Sequence, residues 1–454
     1  MQINVEIDPR REFALNNGFA SCEIAVPELG IRERLFIPYE KFDRYCGARE
    51  SLVDDFLFAS AVCYSIDLLV PRKTARDFWT RELTLEIPVR DPDLWNSQAE
   101  LFTEVLTFLT GDRWNVSFGK RNVALYLDRK NRRRMRRWKA DTVCLFSGGL
   151  DSFLGAIEHL STTTGHVVLV GHYDVGLARK SQQAVFNGLQ AVFGAKRVHL
   201  FQGRIGFDVG NIADSSRTDP EPTQRSRSLV FIALGAYIAH QQGKDRTIPL
   251  LIPENGFISL NPPLTSSRLG SCSTRTVHPY FLNKLQTLIT HLGLRTPLSN
   301  PFADKTKGEM LVSSLNKDLA YSLANQTVSC AHPTRRQNWN RRNVTHCGYC
   351  VPCLIRRTAL HRAGIDEGTD YGIDVLAGEL NIYEDVLDDF RAMLMLLHRW
   401  RANPQLVQQV VRRIILPDGL QGQAETVIRE QLIELDTLIS TKATQGIRQW
   451  AGLS

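Results

Sequence analysis

Ser147-Gly148-Gly149-Leu150-Asp151-Ser152 stands between the apolar run Val143-Cys144-Leu145-Phe146 and the amphipathic run Phe153-Leu154-Gly155-Ala156-Ile157. This pattern predicts a short buried strand entering a helix through a double-glycine turn, and it commits the surrounding chain to an α/β arrangement. At such a junction the glycines let the backbone curl, the unpaired amides of the first helical turn face the loop, and the helix dipole favours an anion. The hydroxyls of Ser147 and Ser152 add donors for phosphate. Asp151 would repel a bare phosphate, so its place in the turn makes sense with a magnesium ion bridging it to the phosphate oxygens. The competing reading is a plain strand-to-helix turn with serine as cap.

Beyond residue 141 short apolar runs (166–170, 198–202, 248–252) alternate with longer amphipathic ones (178–193, 226–242), which predicts a parallel sheet with covering helices. Ligands of such sheets bind beyond the carboxyl ends of the strands. His172-Tyr173-Asp174 and Pro253-Glu254-Asn255-Gly256 therefore become candidates for the same site. Arg225-Ser226-Arg227 opens one apolar helix and Lys305-Thr306-Lys307-Gly308-Glu309 opens another. Beside a phosphate turn Arg227 and Lys307 would offset polyphosphate charge; otherwise they are solvated first turns. In Ser273-Thr274-Arg275-Thr276-Val277-His278-Pro279, Arg275 could grip a carboxylate and His278 could act as acid or base. Residues 211–225, rich in Asp, Ser, Thr, Pro and Gln, read as a surface loop able to serve as a lid.

A chain of 454 residues exceeds what one core supports, so several domains are expected. Residues 1–128 read as a small α+β domain, with strands at Leu83, Leu85, Ile87 and Val89 and at Trp114, Val116 and Phe118, and a helix over 96–110. Residues 129–140 hold the run RKNRRRMRRWK, read as a basic linker; an RNA-binding strip is the alternative, although Trp138 alone supplies stacking. Residues 141–369 carry the α/β pattern. Residues 370–454 form a helical extension, with Val386, Phe390, Met393, Leu394 and Leu397 at helical spacing and breaks at Pro404 and Pro417. The net charge of +7 suits an anionic ligand without demanding one. No apolar run approaches the about 18 residues of a membrane span, and Met1-Gln2-Ile3-Asn4 opens no signal peptide, so a cytoplasmic location is expected.

Nine cysteines in a chain this long do not suggest a disulfide framework. Cys347-Gly348-Tyr349-Cys350-Val351-Pro352-Cys353 places three thiols at metal-ligand spacing, and Cys330 lies upstream. Four thiolates satisfy tetrahedral zinc and leave no open position, so the site would staple structure and activate no water. An iron-sulfur cluster is the alternative, and His332 or His346 could each replace one thiolate.

SGGLDS after a strand, together with the late CxxCxxC and an upstream cysteine, resembles the QueC family of 7-cyano-7-deazaguanine synthases, in the PP-loop pyrophosphatase superfamily with its adenine nucleotide alpha-hydrolase-like fold. His172-Tyr173-Asp174-Val175-Gly176, Ser226-Arg227-Ser228-Leu229-Val230-Phe231 and Lys307-Gly308-Glu309 are similar to further family segments. The resemblance spans roughly residues 141–365. It departs from the family in the distance of Cys330 from the trio, in the basic insert of Arg335, Arg336, Arg341 and Arg342, and in the segment 273–279, which replaces an acidic substrate segment. The added amino-terminal and carboxy-terminal regions resemble instead the larger QueC-like proteins of bacterial anti-phage systems, the QatC group of the Qat system.

What the resemblance implies is an ATP-dependent ligase with Mg2+ and Zn2+. It would adenylate the carboxylate of 7-carboxy-7-deazaguanine and transfer the acyl group to an amine, the amino terminus of a QatB-like partner from the same defence operon. Ser147, Gly148, Gly149, Leu150, Asp151, Ser152, His172, Tyr173 and Arg227 would bind ATP. Asp151 would also position magnesium and Lys307 would offset leaving-group charge. Glu254, Asn255, Arg275 and His278 would meet the base, and Cys330, Cys347, Cys350 and Cys353 would hold zinc. The alternatives are a free 7-cyano-7-deazaguanine synthase using ammonia and a tRNA-modifying PP-loop enzyme.

Overall fold

A computed structural model describes residues 1–7, 22–45, 51–123, 125, 138–173, 176–207, 221, 223, 225–243, 246–264, 275–333, 336–337, 339–377 and 382–453. Most of the basic run 129–139 and most of the loop 211–225 lie outside the described residues, as do Asp174, Ser273, Thr274 and Arg335.

The amino-terminal elements are β1 (Gln2–Ile7), β2 (Cys22–Val26), β3 (Ile31–Phe36), α1 (Ser51–Leu69), β4 (Glu82–Val89), α2 (Pro92–Ser97), α3 (Ala99–Thr110) and β5 (Arg113–Lys120). The two strands expected from alternation are β4 and β5, which run parallel and bury Leu83, Leu85, Ile87 and Val89 and Trp114, Val116 and Phe118. The expected helix 96–110 divides into α2 and α3 because Gln98 breaks the ladder between them. Its buried face carries Phe102, Val105, Leu106 and Leu109.

The second half of the chain continues with β6 (Thr142–Leu145), α4 (Leu150–Thr162), β7 (Val167–His172), α5 (Gly176–Phe193), β8 (Val198–Gly203), β9 (Gly206–Phe207), α6 (Arg227–Gln242), β10 (Leu250–Leu251), α7 (Gly256–Leu260), α8 (Pro279–His291) and β11 (Leu298–Ser299). Five of these strands form a wholly parallel sheet in the order β11-β10-β6-β7-β8. Every residue of β6 and β7 is buried, as expected of parallel strands covered on both faces. From β6 the chain builds β7 and β8 on one side and returns to build β10 and β11 on the other. The order therefore reverses beside β6, and the double-glycine turn leaves the sheet at that switch point.

Among the described residues the amino-terminal strands share a sheet with a strand from further along the chain. Their sheet, ordered β5-β4-β1-β2-β3-β9, takes its last strand from residues 206–207. One apolar cluster runs from Ile3 through α1 and α6 to Leu294. A buried ion network reinforces the join: Arg81 meets Asp67 and Asp112 at 2.5 Å each, Arg72 grips Asp112 at 2.8 and 2.9 Å, and Asp67 also accepts from Ser226. Removing one member of such a network costs about 3–5 kcal/mol, because its partners stay buried and charged.

The remaining helices are α9 (Lys307–Val312), α10 (Lys317–Leu323), α11 (Val351–Arg362), α12 (Asp388–Ala402), α13 (Leu406–Val411), α14 (Gln421–Lys442) and α15 (Gln445–Trp450). A separate apolar cluster joins the cysteine segment and α7 to α12, α13, α14 and α15. Within it lie Phe390, Met393, Leu394 and Leu397, as helical spacing predicted. No helix among the described residues is long and apolar enough to cross a membrane.

Candidate functional site

At the end of β6 the backbone turns through Gly148, whose φ is +83°. A β-carbon there would stand 2.9 Å from the Gln182 amide nitrogen, so both conformation and space call for glycine. Gly149 then caps α4. Ser147 Oγ accepts the Gly149 amide at 3.2 Å, and Ser152 Oγ donates to the Gly149 carbonyl at 3.0 Å. The two hydroxyls are 3.2 Å apart, facing across the turn. Hydroxyls and amides thus gather at the helix start, where an anion would draw them from these internal partners.

Three neighbours that sequence reasoning did not single out hold this turn. Gln182 on α5 donates to the carbonyl of His172 at 3.1 Å and to that of Ser147 at 3.4 Å, tying the ends of β6 and β7. Val328 and Ser329 lie along the other side. The Val328 amide donates to the Gly148 carbonyl at 2.9 Å, a backbone hydrogen bond that fixes this flank of the turn. Ser329 Oγ accepts the Leu150 amide at 3.4 Å. Ser329 precedes Cys330 directly, and its own amide donates to His346 Nε2 at 3.3 Å. Nothing in the local sequence signals this contact, which depends on how the cysteine segment folds back.

Below the turn, Asp151 projects from the first turn of α4 and is buried. Its Oδ2 accepts from Asn255 Nδ2 at 2.8 Å and lies 3.3 Å from Lys307 Nζ. Asn255 also donates to Glu254 at 3.0 Å while capping α7 through Ile258. Thr306 caps α9 in a reciprocal box with Glu309, which starts the helix at the residue that delivers Lys307. Burial opposes ionisation of Asp151, but the Lys307 charge and the neighbouring donors outweigh it and hold the carboxyl below its ordinary range. Glu254 is pushed well above its ordinary range by burial and by the Asp151 charge. The paired carboxyls are thus pushed apart, with ionisation favoured at Asp151 and opposed at Glu254. Asp151 Oδ1 is buried without a hydrogen-bond partner. An orphaned carboxylate oxygen beside a second carboxyl suits a divalent cation such as Mg2+.

The other expected site residues are placed as follows. His172 ends β7 with its ring buried, Nε2 3.3 Å from the Ile205 amide and the ring edge-on to Tyr64; toward the turn it offers its carbonyl. Tyr173 follows, half-buried under the Arg179 guanidinium. Arg227 is the first residue of α6. Arg275 donates to the Phe108 carbonyl and stacks on its ring, and His278 packs on the same ring while capping α8. These contacts turn Arg275 and His278 toward α3, whereas Asp151, Glu254, Asn255 and Lys307 meet one another.

Burial, assisted by the Arg275 charge, pushes the His278 imidazole down to about 3, from an ordinary value of 6.5. The unfolded chain takes up this proton first as pH falls. The stability contributed by neutral His278 is therefore full above about pH 6.5 and drains as pH falls toward 3, at up to about 1.4 kcal/mol per pH unit. Melting temperature should fall between pH 7.5 and 5, and His278→Asn, which keeps a cap acceptor, should show a shallower fall. An identical slope in the variant would contradict this assignment.

Cys330, Cys347, Cys350 and Cys353 bring their sulfurs within 4.8 Å of one another. Cys347 and Cys353 are 3.7 Å apart, close to the about 3.8 Å edge of a tetrahedron built on Zn–S bonds of about 2.3 Å. The cluster can hold zinc with no position left open. His346 stands apart from it, engaged with Ser329 and Thr345.

An α/β chain with a strand-to-helix glycine turn at a sheet switch point and a four-cysteine cluster is the class that fold and site define. Over 253 residues, 51% of this chain and 99% of the relative, it is 22% identical to the 7-cyano-7-deazaguanine synthases of two Methanococcus maripaludis strains. It is 32% identical over 79 residues, 17% of this chain and 32% of the relative, to the 7-cyano-7-deazaguanine synthase of Methanocaldococcus jannaschii. These similarities support a QueC-like chain. No family model matches it, and no solved structure does.

Proposed function

We propose that the chain is a QueC-like, ATP-dependent ligase that adenylates the carboxylate of 7-carboxy-7-deazaguanine and passes the acyl group to an amine. The observation that carries this reading is the buried Asp151 of the SGGLDS segment, held by Lys307 and Asn255. The parallel sheet serves as a PP-loop domain over residues 141–369, between the amino-terminal region 1–128 with its linker 129–140 and the helical extension 370–454.

The turn formed by Ser147, Gly148, Gly149, Leu150 and Ser152 holds the pyrophosphate portion of ATP through amides and hydroxyls. A carboxylate oxygen of the acid attacks the α-phosphorus, the bond to the β-phosphate oxygen breaks, and pyrophosphate leaves. An amine nitrogen then attacks the acyl carbon, AMP departs, and the nitrogen loses a proton. Lys307 offsets charge on the leaving pyrophosphate. Asp151 and Glu254 are the residues to hold Mg2+, which when bound neutralises phosphate charge. No residue forms a covalent bond to substrate; the work is positioning and charge stabilisation.

The acceptor is a protein amine, the amino terminus of a QatB-like partner in an anti-phage system. Support comes from chain length: the relatives align over nearly their whole length with only half of this chain. The rest is built onto the same cores. Incubation with ATP, Mg2+, the acid and the partner should add the amide-linked base to the partner, read by intact mass. Nitrile formed with ammonia alone would support the second reading, a free 7-cyano-7-deazaguanine synthase, which the relatives' activity favours. A folded, zinc-loaded chain that yields neither product would overturn both.

A further inference from the structure

We propose that α14, far along the chain from the phosphate turn, is a positioning element of the ATP site. Its face carrying Val427 and Glu434 sets the two short helices that bring Asn255 and Lys307 to Asp151. The inference rests on the ATP reading given above.

The first contact is at the start of α9. Glu434 is buried, and its Oε1 accepts from the Thr306 hydroxyl at 2.5 Å and from Arg362 Nη1 at 2.7 Å. Thr306 is the cap of α9, and its hydroxyl oxygen simultaneously accepts the Glu309 amide at 3.0 Å. The cap is therefore fixed from both sides, and Lys307 is the next residue. The carboxylate also presses on Gly308. A β-carbon at that position would lie 2.2 Å from Glu434 Oε1 and 2.6 Å from its carboxyl carbon. With a β-carbon there, the Glu434 carboxylate would have to leave its place between Thr306 and Arg362.

The second contact is two helical turns earlier on the same face of α14. A β-carbon on Gly256, the residue after Asn255, would lie 3.0 Å from Val427 Cγ1 and 2.4 Å from the Ala303 carbonyl oxygen. Gly256 donates its amide to the Lys305 carbonyl at 2.7 Å, so the two supported segments are also tied to each other. Between the two contacts lies Gln431, fully buried and donating to Thr358 of α11 at 3.0 Å. Asn255 and Lys307 are the two groups that grip Asp151 Oδ2, and each is followed by a glycine closed over by α14. A shift of α14 therefore moves both grips at once. Burial raises the Glu434 carboxyl, which the Thr306 and Arg362 donors counter.

The test is isothermal titration of the full-length, zinc-loaded chain with ATP and Mg2+, well below the melting temperature of each variant. Gly308→Ala and Glu434→Ala should each weaken ATP about tenfold or more, since displacement of a positioned group by about 1 Å has effects of this order. With Glu434 already cut to alanine, the added β-carbon has room. Gly308→Ala should then cost less than about twofold in the Glu434→Ala background. A merely structural role would lower melting temperature and leave the affinity of folded protein, and this non-additivity, unmoved. Ile433→Ala, on the exposed side of α14, should bind as wild type. Should either single variant fail to fold, the near-isosteric Glu434→Gln decides: about threefold or greater weakening supports the proposal, and unchanged affinity overturns it. No ATP binding by the wild-type chain overturns this proposal and the ATP reading together. Wild-type binding that is lost in Asp151→Asn yet intact in folded Gly308→Ala and Glu434→Ala overturns the role of α14 alone.

Discussion

Asp151→Asn should reduce ATP-dependent turnover at least about a hundredfold, equivalent to about 2.7 kcal/mol or more of transition-state stabilisation. The substitution keeps shape and removes charge. Three consequences follow from the buried geometry. The amide cannot serve a divalent cation as a carboxylate does. With its oxygen kept toward Asn255 and Lys307, its NH2 group takes the Oδ1 position and puts a donor where the cation would sit. Lys307 loses the anion that fixes it 3.3 Å away. Breaking a buried ion pair ordinarily costs about 3–5 kcal/mol of stability. Here the loss should be smaller, because Glu254 stands in the same cluster and its carboxyl is held up in part by the Asp151 charge, so removing that charge eases ionisation of Glu254 beside Lys307. Asp151→Asn should therefore fold while failing in turnover, and Asp151→Asn combined with Glu254→Gln should lose stability as well. Melting curves beside nucleotide turnover check both parts. Wild-type turnover in the single variant would remove Asp151 from the site.

Stripping metal from the four-cysteine cluster should cost several kcal/mol of stability and should also weaken ATP binding, although no thiol touches the phosphate turn. Structural zinc contributes its binding energy directly to folding. Cys347, Cys350 and Cys353 are buried in the apolar cluster that also holds α12, α13, α14 and α15. Without metal, burial opposes thiolate formation at Cys347 and Cys353, while hydrogen bonds from its neighbours favour it at Cys330. The effect on ATP arises through Ser329 and Val328. Cys330 anchors the segment in which Ser329 meets Leu150 and Val328 meets Gly148. Cys353→Ala should reproduce both losses. Zinc content, melting temperature and ATP affinity measured on one preparation make the check. A metal-free chain that melts and binds ATP like the loaded protein would contradict it.

Local patterns were legible where function depends on spacing. The glycine turn and the CxxCxxC run carry their chemistry in a few consecutive residues, and the alternation of β4 and β5 shows directly which side chains face the core. The cap of α9 could be read from Thr306 and Glu309 for the same reason. What could not be read was which distant faces meet. Residues 1–128 look like a separate domain by periodicity, yet the pairing of β3 with β9 and the packing of α1 on α6 are long-range events. Arg275 and His278 look like substrate residues by type, and their neighbours prove to be Phe108 and the start of α8. Ser329 carries no motif of its own, since its position follows from Cys330 and His346. Gly308 reads as an ordinary helix residue until Glu434 is seen occupying the space where a β-carbon would stand.

Exchange of labelled pyrophosphate into ATP tests the central claim most directly, because it reports adenylation whatever amine accepts the acyl group. The folded, zinc-loaded chain with ATP and Mg2+ should catalyse exchange only when 7-carboxy-7-deazaguanine is added, and Asp151→Asn should not. Absence of acid-dependent exchange, or conversion of ATP to ADP and phosphate instead, would contradict the account.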